Sequence, residues 1–437
     1  MNGIFYGLVL LAFLFGACQE LNFFSLPFVQ EQAAATGLKP QYMHVLGQGM
    51  MESAKNAVQV CISLAGSMSI FLGVLKVAEA GGLLQVLTRW LRPFLVMLFP
   101  NIPPHHPALG AISLNFAANA LGLGNASTPL GIRAMHALDQ LNPKKGQATR
   151  EMILFLAINT ASITLLPMSV IALRSVSGSQ DPAGIVGTTL FASCCSTIAA
   201  ILAVKFLLGY QSDRSDWGFD VTMVNKMVEA EPQSSWLKNL SLFLALSAMI
   251  YLFIKYPVIS AWVLPVFVMG MLSFGALKKI AVYEHFIEGA KEGIDVAFKL
   301  LPYLIAILMA VGMFRASYAL DFISLSLKNL FEPLGLPAIS IPMALIRPLS
   351  GMGAKAYMIS VFEDPSFGPD SYAGYLVSTM MGCSETTFYI IAVYCSAIGL
   401  KKVKQAIIAG LLADFAGVLA SVVAVQYYYY SILKPGF

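Results

Sequence analysis

N-F-A-A-N-A-L-G-L-G-N-A-S-T-P-L-G, from Asn115 to Gly131, interrupts apolar sequence with three amides, a Ser-Thr pair, three glycines and a proline. R-P-L-S-G-M-G-A-K, from Arg347 to Lys355, does the same in the second half, with a cation at either end. Two further interruptions follow in matching order: N-T-A-S-I-T-L-L-P (Asn159 to Pro167) and G-C-S-E-T-T (Gly382 to Thr387). Gly and Pro release backbone amides and carbonyls from the helical ladder, and lipid cannot satisfy them. Each break must therefore be buried in protein or line a wet cavity. Recurrence in order predicts a duplicated all-α membrane protein, polytopic, with broken or re-entrant helices at equivalent points.

The rest of the chain agrees. Of 437 residues, 57% are apolar and 11% charged, with a mean hydropathy of +0.73. A soluble domain carries about 25% charged residues, so a cytosolic enzyme, a disordered chain and a nucleic-acid binder are excluded. The net charge of +4 comes without a basic block and says nothing about an acidic partner. The six cysteines sit in apolar segments without metal-type spacing and read as small buried residues.

Apolar stretches at 57–77, 80–100, 152–173, 184–208, 258–275, 294–314, 372–398 and 405–426 approach or exceed the ~20 residues a transmembrane helix needs, whereas 107–121 and 339–349 fall short. Strand alternation does not recur, which argues against a β-barrel. The opening M-N-G-I-F-Y-G-L-V-L-L-A-F-L-F-G-A-C-Q-E has no basic residue ahead of its apolar run, so a retained first transmembrane helix is expected in place of a signal peptide. The polar stretch 210–236 reads as a solvated loop, and Tyr427 to Tyr430 as an interfacial aromatic belt.

Weak matches preserve their order across the halves. F-L-F-G-A (13–17) parallels L-S-F-G-A (272–276), and M-E-S-A-K-N-A-V-Q-V (51–60) parallels I-E-G-A-K-E-G-I-D-V (287–296). A-L-G-L-G (120–124) parallels L-S-G-M-G (349–353), and T-A-S-I-T (160–164) parallels G-C-S-E-T (382–386). Positive charge orients them. Arg133, Lys144, Lys145 and Arg150 follow the first Gly-x-Gly against Lys355 alone in the second half, whereas the next loop holds only Arg174 against Lys401, Lys402 and Lys404. Under the positive-inside rule, equivalent loops lie on opposite faces: 122–150 and 399–405 in the cytoplasm, 351–371 and the C-terminus outside. The expected organisation is two inverted-topology repeats: 1–209, a polar cytoplasmic loop 210–236, a linking helix 237–256, and 257–437.

Candidate binding residues in the first half are Asn115, Asn119, Asn125, Ser127, Asn159 and Ser162. In the second they are Arg347, Ser350, Lys355, Ser384, Glu385 and Thr386. Three amides beside a Gly-x-Gly break favour a ligand site, while single Ser, Thr and Gly residues also serve helix packing. Glu385 at membrane depth is a cation site, a proton site or a partner of Arg347. Lys76, Glu79, Asp295, Lys299, Arg315, Asp321 and Asp414 read as snorkelling or paired charges nearer helix ends. His105–His106, among prolines, reads as turn structure. No nucleotide-binding loop or nucleophile motif appears, so neither an ATP-driven pump nor an enzyme is expected, and no cofactor or metal is required.

The motifs themselves are recognisable. N-A-L-G-L-G-N-A-S-T-P-L-G-I-R-A-M, L-N-P-K-K and N-T-A-S-I-T-L-L-P-M-S-V-I-A-L-R resemble the spore maturation protein A family through most of 1–208. V-Y-E-H-F-I-E-G-A-K-E-G, P-Y-L-I-A-I-L-M-A-V-G-M-F-R-A-S, R-P-L-S-G-M-G-A and G-C-S-E-T-T-F-Y-I-I-A-V-Y resemble the spore maturation protein B family through about 238–430. Both families carry the Gate, or nucleoside-recognition, domain, which is similar to parts of concentrative nucleoside transporters and of the ferrous-iron transporter B membrane domain. The resemblance implies a multi-pass protein of the bacterial inner membrane that passes a small solute. The expected function is a secondary transporter or facilitator of a small polar organic solute, anionic or nucleoside-like, with a proton or cation as coupling partner; a homo-oligomer stays open. The alternatives are a divalent-metal carrier using Cys383 and Glu385, and a non-transporting envelope scaffold.

Overall fold

The computed structural model of the chain describes residues 2–21, 42–103, 106–122, 124–209, 236–256, 258–319, 335–400 and 402–433. Most of the 210–236 loop, His105, Asp321 and Lys401 lie outside the described residues, as does the side chain of Arg315. The described chain is helical, with one isolated β-bridge between Gln147 and Lys402. Among the described residues, six helical spans are long and apolar enough to cross a membrane, one of them the interrupted span Tyr372–Ala397.

Two of them form the spine. Helices α2 (Tyr42–Ala80) and α11 (Val282–Ala316) have 39 and 35 residues, or about 58 and 52 Å at 1.5 Å per residue. They run antiparallel: Gly49 lies against Gly312, Cys61 against Ala297 and Ser69 against Ala290. The Cys61 thiol donates to the Ala297 carbonyl at 3.3 Å, and the Ser69 hydroxyl to that of Ala290 at 3.0 Å. Glycine permits the close approach. A Cβ on Gly289 would sit 2.3 Å from the Leu72 carbonyl oxygen, and one on Gly293 would sit 2.6 Å from the Met68 backbone. Gly289→Ala is therefore expected to destabilise by about 1–3 kcal/mol, because a backbone atom cannot rotate aside. Gly66→Ala on α2, with open space around it, should be neutral or gain up to about 1 kcal/mol from helix propensity. Thermal unfolding in detergent, with the two variants moving in opposite directions, checks this.

Cys61 and Ala297 are 236 positions apart, the same spacing that relates 51–60 to 287–296. Their contact is thus its own equivalent, and the pseudo-two-fold axis of the duplication passes close to it. Helices α1 (Asn2–Glu20) and α10 (Val258–Leu277) each pack on this spine. A second antiparallel pair of equivalents is α8 (Val186–Leu208) and α16 (Lys404–Tyr428), where Ser196 donates to the Ala413 carbonyl at 2.8 Å. Helix α9 (Trp236–Lys255) stands between the halves in sequence.

Each half inserts a short hairpin and a broken helix between these pairs. The first hairpin is α4 (Pro107–Ala120) with α5 (Gly124–Gln140); the second is α12 (Ile341–Ile346) with α13 (Gly351–Phe362). Neither limb of either hairpin reaches the length of a bilayer crossing. The first broken helix is α6 (Arg150–Ala161), non-helical chain at 162–167, then α7 (Met168–Val176). The second is α14 (Tyr372–Gly382), non-helical chain at 383–386, then α15 (Thr387–Ala397). Each broken helix is tied to the tip of its own hairpin, Leu165 N–H in the first break to the Ala120 carbonyl at 2.9 Å and Phe388 N–H in the first turn of α15 to that of Pro348 at 3.1 Å.

The loops confirm the inversion. The Gln147–Lys402 bridge joins the loop before α6 to the loop after α15 on one face. On the other, Arg174 at the end of α7 reaches the loop before α14. This arginine is not the solvated loop cation that its position in the sequence implies. It is fully buried and donates to the carbonyls of Pro369 (2.6 Å) and Asp181 (3.2 Å), to the hydroxyls of Ser179 (3.2 Å) and Ser378 (3.3 Å), and to Asp370 Oδ1 (2.8 Å). Its guanidinium also stacks 4.3 Å over the Tyr375 ring. Burial raises the neighbouring Asp181 carboxyl above the usual aspartate range, against a hydrogen bond from Ser260 and the Arg174 charge.

Two other readings change, and the turn at His106 gains a role. The stretch 80–100 is not a spanning helix: α3 (Leu83–Leu98) has 16 residues, carries Arg89 and Arg92, and buries Leu84 and Leu95 while exposing Trp90 and Met97. The tyrosine tract is only half interfacial, since Tyr428 and Tyr429 are buried against Tyr375 and Tyr372 while Tyr427 and Tyr430 face outward. His106 caps α4, its Nδ1 accepting from Ala108 N–H at 3.2 Å.

Candidate functional site

The four breaks meet. Glu385 N–H, in the second break, donates to the Thr160 carbonyl in the last turn of α6 at 2.7 Å, so the two broken helices touch across the pseudo-symmetry. Helices α8 and α16 close the rear of the crossing, where Gly410 and Gly417 leave room for Thr160, Thr387 and Cys383.

On the first-half side, Asn119 Nδ2 donates to Asn159 Oδ1 at 2.9 Å, and Asn159 Nδ2 donates to the Phe155 carbonyl at 2.9 Å. The amide pair thus links hairpin to broken helix, with Asn159 buried and Asn119 half-buried. Asn115 lies one turn deeper and donates to the Ser127 carbonyl at 2.8 Å and the Tyr394 hydroxyl at 3.4 Å, while its Oδ1 has no partner among the described residues. Ser127 therefore contributes its carbonyl to this contact. Ser162 ends α6; its buried hydroxyl has no partner among the described residues. Asn125 lies in the first turn of α5, and its side chain falls outside the described residues.

On the second-half side, Arg347 is buried at the tip of the hairpin. Its Nε donates to the Met381 carbonyl at 3.2 Å and its Nη1 to Thr386 Oγ1 at 2.9 Å. Its Nη2 lies 3.8 Å from Glu385 Oε2, an ion pair too long to be a hydrogen bond. The partners differ sharply in exposure, 5% for the Arg347 side chain against 48% for Glu385. Lys355, half-buried one turn into α13, interacts electrostatically with both. Ser350 caps α13 by accepting from Gly353 N–H at 3.0 Å, so it holds the hairpin tip in shape. Ser384 is buried and hydrogen-bonds Asp414.

The structure adds residues that pattern reading passes over. Asp414 does not sit at a helix end: it is buried within α16 and accepts from Thr387 Oγ1 at 2.5 Å. Its other carboxylate oxygen has no partner among the described residues. Tyr394 joins the halves through Asn115, and Gly131 makes space for its ring, since a Cβ there would come within 2.2 Å of it. The only signal for Tyr394 is a phenol in an apolar run, which rarely distinguishes a site from a core.

The assembly is polar. It offers amides, hydroxyls and freed carbonyls, one buried guanidinium and one half-exposed carboxylate. Cys383 does not converge with Glu385: its thiol donates to the Met380 carbonyl at 3.4 Å and takes the Ser421 hydroxyl at 3.6 Å. No group of three metal-ligating side chains assembles among the described residues.

The nucleoside-recognition family (Gate) matches this chain over residues 61–177 and again over 297–401. The two matches begin at the residues whose contact lies on the pseudo-two-fold axis. The chain is also 45% identical over 170 residues to Spore maturation protein B of Bacillus subtilis (strain 168), covering 38% of this chain and 93% of that protein. To Spore maturation protein A of the same organism it is 44% identical over 161 residues, covering 37% of this chain and 82% of that protein.

Proposed function

The chain belongs to the nucleoside-recognition (Gate) family of membrane proteins, and from that premise we propose that it carries a small polar organic solute across the bacterial inner membrane. The observation that carries this reading is the meeting of four chain breaks, joined by the Glu385–Thr160 backbone bond and flanked by Asn119, Asn159 and Arg347. In inverted-repeat carriers the solute binds where discontinuous helices converge, because only there do unpaired backbone groups face a ligand. The loop holding Lys144 and the loop holding Lys402 are read as cytoplasmic.

Two of the Arg347 nitrogens are engaged inside the fold and the third faces Glu385. That favours a neutral solute rich in hydroxyls and amides, of the nucleoside class, over a multiply charged anion. Glu385, half-exposed, is the group available to a coupling proton or cation. The divergence of Cys383 from Glu385 weighs against a metal cargo.

The test is uptake of labelled nucleosides by proteoliposomes. Asn119→Ala and Asn159→Ala are each expected to cut uptake by about 10-fold to 100-fold, the loss of one or two hydrogen bonds to a bound solute. The double variant should be little worse than either single one, since the two amides act as a pair. Melting temperatures should stay within a few degrees. Normal uptake in both single variants would place the solute elsewhere, and no uptake by the wild type of any polar solute tried would favour the scaffold reading.

A further inference from the structure

A charged hollow lies beside the site, not in it. A cleft of about 660 Å³ separates the first hairpin from the α2–α11 spine. Six charges line it: Lys76, Glu79, Arg133, Glu292, Asp295 and Lys299. Its hairpin wall includes Leu114 and Pro129, which adjoin Asn115 and lie two residues beyond Ser127. The equivalent hairpin limb of the second half, α13, packs directly against α11. The molecule is therefore open along one hairpin and closed along the other.

Depth decides what this cleft holds. In an inverted repeat the pseudo-two-fold axis lies in the plane of the membrane, and here it passes near Cys61 and Ala297. Asp295 and Lys299 flank Ala297 by two residues on either side, so they sit within about 3 Å of that level along the helix axis. They are mid-helix charges at mid-membrane, not the end-of-helix charges their place in the sequence implies. Both are exposed, and neither has an ion-pair partner among the described residues. Snorkelling cannot reach water from the middle of a bilayer. Toward the cleft mouth, by contrast, Lys76 is paired with Glu292 at 3.0 Å and Glu79 at 3.7 Å.

We propose that this cleft is a water-filled vestibule leading from the Lys144 face to mid-membrane, and that Asp295 and Lys299 at its inner end sort what enters by charge. A solute that is neutral, or carries both signs, passes them with least penalty. The identity of the vestibule's cargo rests on the carrier reading above; its water content does not.

Labelling separates the two. Val296, between the charges and lining the cleft, is replaced by cysteine, and modification by anionic and cationic methanethiosulfonates is followed by intact mass in proteoliposomes, over the background of native cysteines. Val296→Cys is expected to react with both reagents at rates within about tenfold of Lys145→Cys, a cysteine on the exposed loop. Asp295→Asn should shift the anionic-to-cationic rate ratio upward by about threefold to tenfold, and Lys299→Gln should shift it downward by a similar factor, as one unit charge several ångströms away demands. Each variant is compared only where its melting temperature matches the parent. If Val296→Cys stays unmodified while Lys145→Cys reacts, the cleft is dry and the proposal fails. A wet cleft with an unchanged ratio overturns the charge sorting. Rapid, charge-sensitive labelling in a protein that takes up no solute upholds the vestibule and sinks the carrier reading alone.

Discussion

Arg174→Met is expected to lower stability by about 3–5 kcal/mol, the cost of removing one member of a buried charged network. Methionine fills much of the volume but donates nothing. The carbonyls of Pro369 and Asp181 then lose a guanidinium donor inside the protein, Asp370 loses its charge partner, and the Tyr375 face loses the cation above it. Asp370 keeps Ser179 and the Gln180 N–H and is about one-third exposed, so it is not stranded. The damage is therefore concentrated in the two loops that Arg174 ties together, one from each half. Arg174→Lys should recover less than half of the loss, because one ammonium cannot span donors that the planar guanidinium spreads over five partners. Thermal melts in detergent, with limited proteolysis at 177–185 and 363–371, read the effect. A variant as stable as the parent and uncut at both loops would show that Arg174 does not hold this face together.

Arg347 and Glu385 should part company when each is changed alone. Arg347→Met is expected to destabilise by about 2–3 kcal/mol, since the Met381 carbonyl and the Thr386 hydroxyl lose a buried charged donor. Glu385→Gln should cost less than about 1 kcal/mol, because the pair is 3.8 Å long and its acid is half-exposed. Its effect belongs in function: uptake loses its dependence on pH or on the coupling cation while the protein stays folded. The double variant Arg347→Met, Glu385→Gln should resemble Arg347→Met in stability and Glu385→Gln in uptake. If Glu385→Gln instead destabilises as much as Arg347→Met, the carboxylate is a structural partner and its coupling role is lost.

The breaks were legible because glycine, proline and amides are conspicuous within apolar sequence, and their repetition in order exposed the duplication. The packing of equivalents on each other was not legible. Matching 51–60 to 287–296 says that the segments are alike, but only glycines accommodating the facing backbone reveal that they touch. The charges were misread for one physical reason. Asp295, Lys299 and Asp414 lie inside the apolar runs 294–314 and 405–426, but an apolar run marks neither where its helix starts nor how deep it sits, so each read as nearer an end than it is. Burial and partners separate them: Asp414 is locked to Thr387 inside α16, while Asp295 and Lys299 face a cleft. Arg174 was misread the same way. At the site, Asn119 pairs with Asn159 and Arg347 with Thr386, contacts within each half that the pattern of breaks did not specify, and Ser350 turned to capping. Tyr394 gave no warning.

Five contacts spread along the molecule cross from one half to the other: Cys61 with Ala297, Ser196 with Ala413, Thr160 with Glu385, Gln147 with Lys402, Arg174 with Asp370. The halves are consequently legible as units of ancestry but not of mechanics. Neither can complete its own interior, so a ribosome that has finished only the first half has made an unfinished surface awaiting its counterpart. Joining them in one polypeptide sets their ratio at one to one and removes the search for a partner in the membrane. Selection on either half is thereby selection on the pair.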